Sequence, residues 1–203
     1  MDTSDAPRFP GLILDLDGTV VLGDDAIPGS PEAVAWLQRE GYPLVFVTNN
    51  LEWRRQMTAR LLRLGVTVSE DDILHASPAM RIFLEKEVPG AELLVIGLPS
   101  LRDQLAESFT LTDDPARAQA VVVSYDESFN FQTLLDAYRA LRRGARCFAT
   151  NIDPTWPTAD GELPDSGALV AALEYCTGRS LEGFAAKPDI IIDDMPSTAV
   201  APF

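Results

Sequence analysis

Residues 11 to 19 read GLILDLDGT, an apolar run closing on Asp15, Leu16, Asp17, Gly18 and Thr19. A run this short and this apolar fits a buried parallel strand with its polar groups at the C-terminal end. Strand alternation sends both carboxylates out at that end, and Gly18 permits a tight turn of exposed N–H groups. One carboxylate can attack phosphorus and form an aspartyl-phosphate. The other can protonate the leaving oxygen and later activate water. Bound Mg²⁺ would offset the repulsion between these acids and a phosphate and align the attack. The competing reading is a solvated Asp-rich turn after a core strand, which leaves the convergence of two acids and an anion nest unused.

Working outward, residues 43 to 47, PLVFV, repeat the pattern before Thr48, Asn49 and Asn50. Between the two runs, residues 30 to 40 carry Ser30 as N-cap, Pro31 in the first turn and apolar Ala33, Val34 and Leu37, with Gly41 as terminator. This is a strand-helix-strand unit. Its right-handed crossover puts both strand ends on one sheet edge, where open α/β sheets bind ligands. The hydroxyl, amides and backbone N–H groups of Thr48, Asn49 and Asn50 can bind phosphate oxygens without adding charge. Alone, such a triplet is equally an Asx-turn and helix N-cap.

Farther along, helices are expected at residues 53 to 64, 80 to 86, 131 to 142 and 166 to 176, and strands at 92 to 96, 118 to 123 and 146 to 149. Residues 66 to 68 form a short segment after Gly65, and residues 153 to 164 read as a Pro-rich loop. The stretch is a second α/β unit. Asp126, Asn151 and Asp153 follow its strands, so they either face the site or stabilise loops.

The pentad Asp15 to Thr19 resembles the first motif of the haloacid dehalogenase superfamily. The longer stretch DLDGTVVLGDDAIPGSPEAVAWLQREGYPLVFVTNN resembles its NagD-like, 4-nitrophenyl and phosphoglycolate phosphatases, the subfamily IIA. The segments LLVIG, DESFNFQTLLDAYRALRRGARCFATNIDPTWP and PDSGALVAALEYCTGR resemble the α/β cap that this group inserts between its second and third motifs. The resemblance implies an α/β protein: a Rossmannoid parallel-sheet core over residues 1 to 76 and 184 to 203, and a C2-type cap over residues 77 to 183. It implies that Asp15 is nucleophile and metal ligand. Asp17 is general acid/base and also offers the metal its backbone carbonyl. Thr48, Asn49 and Asn50 bind the phosphoryl group, Lys187 of Lys187-Pro188 neutralises nucleophile and phosphate, and Mg²⁺ is the cofactor. The expected substrates are small phosphomonoesters, of glycolate, glycerol or sugars.

Composition narrows the partners. The 203 residues carry a formal charge of −15, which opposes binding to nucleic acid or an anionic membrane. Met1 to Pro10 resembles neither a signal nor a transit peptide, so the cytoplasm is the expected compartment. The lone His75 is expected to be structural. Cys147 and Cys176 lack metal or redox spacing and are expected to be buried apolar residues.

After Lys187-Pro188 the family continues through a helix and a strand to an acidic fourth motif. Here the sequence passes into PDIIIDDMPSTAVAPF, which resembles the family's last strand and carries no such motif. The core is therefore expected to be incomplete at its C-terminus, through an internal deletion or a mistaken gene model. Asp193 and Asp194 stand six residues or more beyond Lys187, roughly 20 Å along a strand, too far to serve the same phosphate. Exposed strand edges and apolar patches favour association, so the chain is expected either to repack or to form a homodimer. An active phosphatase and a non-catalytic, phosphate-binding relative both fit this reading.

Overall fold

A computed structural model describes residues 11–158 and 161–185. The chain is a mixed α/β protein in which two parallel sheets each take their own helices. The first sheet opens with β1 (Leu12–Asp15), after which β2 (Val21–Leu22) and β3 (Asp25–Ala26) form a small antiparallel pair of their own. Helix α1 (Ser30–Arg39), β4 (Leu44–Thr48), α2 (Arg54–Arg63) and β5 (Ile73–His75) follow. The strand order is β1-β4-β5, with Asp15 opposite Val47 and Thr48 opposite His75. Leu16, Phe46, Met57, Leu61, Val66 and Ile73 pack as its core.

Several local expectations change. The N-cap of α1 is Gly29, with φ 88°, while the Ser30 hydroxyl donates to the carbonyl of Val20 at 2.6 Å. Beyond the short segment at residues 66 to 68, the third strand lies at Ile73–His75, where His75 ends the strand and stands at the N-cap position of the next helix. β1 is not buried on both faces. Ile13 is 41% exposed. The segment PDIIIDDM that resembles the family's last strand lies outside the described residues, and with it Lys187, Asp193 and Asp194.

The chain then enters α3 (Ala76–Glu87), β6 (Glu92–Ile96), α4 (Pro99–Ala106), β7 (Thr110–Leu111), β8 (Ala120–Val123), α5 (Phe131–Arg142) and β9 (Arg146–Ala149). An antiparallel hairpin of β10 (Thr155–Thr158) and β11 (Gly161–Pro164), helix α6 (Ser166–Thr177) and β12 (Gly183–Phe184) complete it. The second sheet has the order β12-β9-β8-β6-β7, all parallel. Alternation along β6 splits its side chains between two layers. Leu93 and Val95 meet Met80, Leu84, Leu101 and Leu105 from α3 and α4. Leu94 and Ile96 meet Ala137, Leu141, Val170 and Leu173 from α5 and α6. Each such buried leucine contributes about 2 kcal/mol. Covered on both faces, β8 is buried at all four positions, as a continuous apolar run requires.

The hairpin stands where a Pro-rich loop was expected. Pro157 and Pro164 lack an N–H and signal loop in sequence, yet a two-stranded ribbon has only edge strands, where proline fits. Cys147 is buried, and burial pushes its thiol up to about 12. Cys176 is exposed, contrary to expectation, because it falls on the outer side of α6.

Candidate active site

Asp15 is the last residue of β1 and Thr48 the last of β4, so the parallel pairing brings both to one sheet edge. The second sheet turns its own strand ends to the same place. Leu98 follows β6, Tyr125 follows β8 and Asp153 follows β9, and all three line one cavity with Asp15, Asp17, Thr48, Asn49 and Asn50. Its volume is about 380 Å³.

Hydrogen bonds fix the acids and the polar triplet. The backbone N–H of Leu16 donates to Asp15 Oδ1 at 2.8 Å, and the buried Thr48 hydroxyl donates to Asp17 Oδ2 at 2.8 Å. The N–H of Asn50 donates to Thr48 Oγ1 at 2.9 Å, and Asn50 Oδ1 accepts from the N–H of Glu52 at 2.8 Å, an Asx-turn into α2. Gly18 takes φ 86°, as the tight turn requires. The expected nest of exposed N–H groups does not form there. The Gly18 N–H donates to the Val21 carbonyl, and those of Thr19, Val20 and Val21 converge on the carbonyl of Leu16.

Across the cavity, the Asn49 amide donates to Asp153 Oδ2 at 2.9 Å, a contact between two residues 104 positions apart. Asn151 supports this loop from behind. Its Oδ1 accepts from the N–H of Asp153 and its amide reaches Asp165 Oδ2 at 3.3 Å. Asp165 is buried, and burial raises its carboxyl above the usual range against the opposing pull of the Ser166 N–H and hydroxyl. Asp126 lies apart, in a loop where it accepts from the N–H and hydroxyl of Ser128.

Sequence reasoning missed the aromatic wall. Tyr125 and Trp156 meet edge to face with centroids 5.8 Å apart. Burial, then the Glu127 carboxylate that accepts its hydroxyl at 2.7 Å, pushes the Tyr125 phenol up to about 12, so it stays neutral. The indole N–H of Trp156 is buried and makes no hydrogen bond of good geometry among the described residues, though it weakly opposes that rise. The only available signal was the sequence TWP inside the proline-rich segment. Gly167 was missed for the same reason, since its role is spatial. A Cβ there would collide with the carbonyl of Ile152 and lie 2.7 Å from that of Asp153.

Asp15, Asp17, Glu127, Asp153 and Asp165 line the cavity, and among the described residues no lysine or arginine does. A phosphate could enter only with added positive charge. Asp15 and Asp17 offer hard oxygen donors suited to Mg²⁺. Among the described residues no third acid, histidine or cysteine joins them as a metal cluster, and Mg²⁺ accommodates this by keeping several waters.

The description "Haloacid dehalogenase-like hydrolase" matches residues 12–108. The sugar-phosphatase AraL of Bacillus subtilis is 32% identical over 98% of this chain and 75% of its own length. The chain belongs to the haloacid dehalogenase-like hydrolases. Among solved members of this family, the p-nitrophenyl phosphatase from Archaeoglobus fulgidus superposes with a TM-score of 0.81 at 34% identity, covering 92% of this chain and 72% of that one. A glycerol phosphate phosphatase from Mycobacterium tuberculosis, solved in complex with magnesium, gives 0.79 at 32% identity, over 89% of this chain and 56% of that one. The resemblance to NagD-like and 4-nitrophenyl phosphatases read from the sequence holds, and with it the assignment as an enzyme of this phosphatase group.

Proposed function

We propose that the protein hydrolyses small phosphomonoesters with Mg²⁺, through an aspartyl-phosphate on Asp15. One observation carries this: Asp15 and Asp17, at the end of β1, share a cavity with Thr48 and Asn49 and with the strand ends of the second sheet. An oxygen of Asp15 attacks phosphorus, the bond to the ester oxygen breaks, and Asp17 gives that oxygen its proton. Asp17 then takes a proton from water as it attacks the phosphorus, releasing inorganic phosphate and restoring Asp15. Asn49 and the backbone N–H groups of the Thr48 to Asn49 turn orient the phosphoryl oxygens, while the Thr48 hydroxyl fixes Asp17. Asp15, with the backbone carbonyl of Asp17, would hold Mg²⁺, which supplies charge neutralisation in an otherwise acidic cavity. Lys187 is proposed to add a second positive charge.

The separation into two sheets supports a core of residues 1 to 76 with 184 to 203 and a cap of residues 77 to 183. The cap's strand ends and hairpin form the far wall, excluding water and contacting the part of the substrate beyond the phosphate. Tyr125 and Trp156 suit the face of a sugar or aryl ring, in keeping with relatives named for sugar and p-nitrophenyl phosphates. We infer a small phosphorylated metabolite of this kind as partner, met in the cytoplasm; no described helix is long and apolar enough to cross a membrane. The test is phosphate release from 4-nitrophenyl phosphate with and without Mg²⁺, beside Asp15→Asn. Mg²⁺-dependent release that vanishes in the variant is expected. Phosphate binding without turnover would instead favour the non-catalytic reading.

A further inference from the structure

A second pocket, of about 260 Å³, opens where the chain passes from β5 into α3. Two of its lining residues, both more than nine-tenths buried, each carry a polar atom that has no partner among the described residues. Ser77 is wholly buried with its hydroxyl unsatisfied, and His75 is 2% exposed with Nδ1 unsatisfied. Burying such groups unpaired is costly, so each marks a place where a further ligand or water completes the structure.

The surroundings indicate the charge of that ligand. Arg54, half-buried, lines the pocket and makes no hydrogen bond or ion pair among the described residues, in a chain of formal charge −15. Arg81 also lines it, held by Glu85 at 2.6 Å, and Glu107 stands exposed at the rim. Gln104 turns its amide N–H away, to the carbonyl of Ser100 at 3.0 Å. The N–H groups of Ala76 and Ser77 in the first turn of the twelve-residue α3, whose N-cap His75 provides no side-chain cap and whose Pro78 has no N–H, add a positive dipole end. A hydroxyl, an imidazole and a guanidinium thus line one pocket beside a helix N-terminus, the kinds of group that hold tetrahedral oxyanions. We propose that this pocket is a second binding site, separate from the Asp15 cavity, for a small oxyanion of the phosphate type. Burial and the Arg54 charge keep His75 neutral, with its pKa lowered to about 4, so it would meet the anion as a neutral ring, in the tautomer that carries its single proton on Nδ1.

His75 is the one histidine of the chain, which makes its ring a unique NMR reporter. Inorganic phosphate is titrated into the full-length protein in Mg²⁺-free buffer at fixed pH, with chloride holding ionic strength constant. The imidazole ¹⁵N and ¹H shifts are expected to move saturably with millimolar phosphate and not with chloride. The response should vanish in Ser77→Ala and in Arg54→Ala and persist in Asn49→Ala, which alters the other cavity. Ser77→Ala only removes an unsatisfied hydroxyl and Arg54 is half-buried, so both variants are expected to fold. No response in the parent protein, a response that persists in either pocket variant, or its loss in Asn49→Ala would each overturn the proposal.

Discussion

The Thr48 hydroxyl donates to Asp17 Oδ2 at 2.8 Å while its oxygen accepts the N–H of Asn50 at 2.9 Å, so one buried side chain ties the second strand end to the first. Thr48→Val keeps the shape and removes both bonds. Turnover is expected to fall by about 10- to 100-fold, mostly in kcat, because Asp17 loses its orientation. Stability should drop by about 1 kcal/mol for the stranded Asn50 N–H. Thr48→Ser should recover most of both, which steady-state kinetics and denaturant unfolding would show.

Asn49 and Asp153 meet across the cavity at 2.9 Å. Asn49→Ala and Asp153→Ala are each expected to raise KM, and the double variant to lose less than the sum. The coupling should be about 0.5–1.5 kcal/mol in kcat/KM. Strict additivity would show that the link is broken during turnover.

Gly167 donates its N–H to the Asp153 carbonyl at 2.9 Å, which seats the start of α6 directly against this loop. Because a Cβ would overlap the Ile152 and Asp153 backbone, Gly167→Ala must push the loop outward. The expected cost is about 1–3 kcal/mol of stability, with a rise in KM as Asp153 leaves the cavity. Unfolding midpoints and KM measured together would separate the two effects.

His75 predicts a pH effect on stability. Burial, with the Arg54 charge, lowers its folded-state pKa from 6.5 to about 4, so the unfolded chain takes up the proton first. The stability tied to neutral His75 is complete above about pH 6.5 and is lost as pH falls towards about 4, by up to about 3 kcal/mol. Urea unfolding above and below that window should show a steeper acid loss in the parent protein than in His75→Gln. Equal slopes would mean the ring is protonated in the folded state.

Much of this protein was legible in its sequence because the signals were local. The runs at Leu12–Asp15, Leu44–Thr48 and Glu92–Ile96 and the helix Phe131–Arg142 declare themselves by apolar periodicity and caps. Parallel pairing then obliges Asp15 and Thr48 to share an edge. What lay beyond was set by packing. Whether Asn49 meets Asp153, whether Trp156 joins Tyr125 and whether Ser77 is left without a partner depend on residues tens of positions apart, and no local periodicity encodes such distances. The hairpin at Thr155–Pro164 hid because proline reads as a breaker until an edge strand accommodates it. The turn at Gly18 was foreseen, but not that its N–H groups close on Leu16 and Val21. The sequence thus determined the two acids, their strand and the family, while tertiary structure alone decided what faces them, because only folding brings two sheet edges into one cavity.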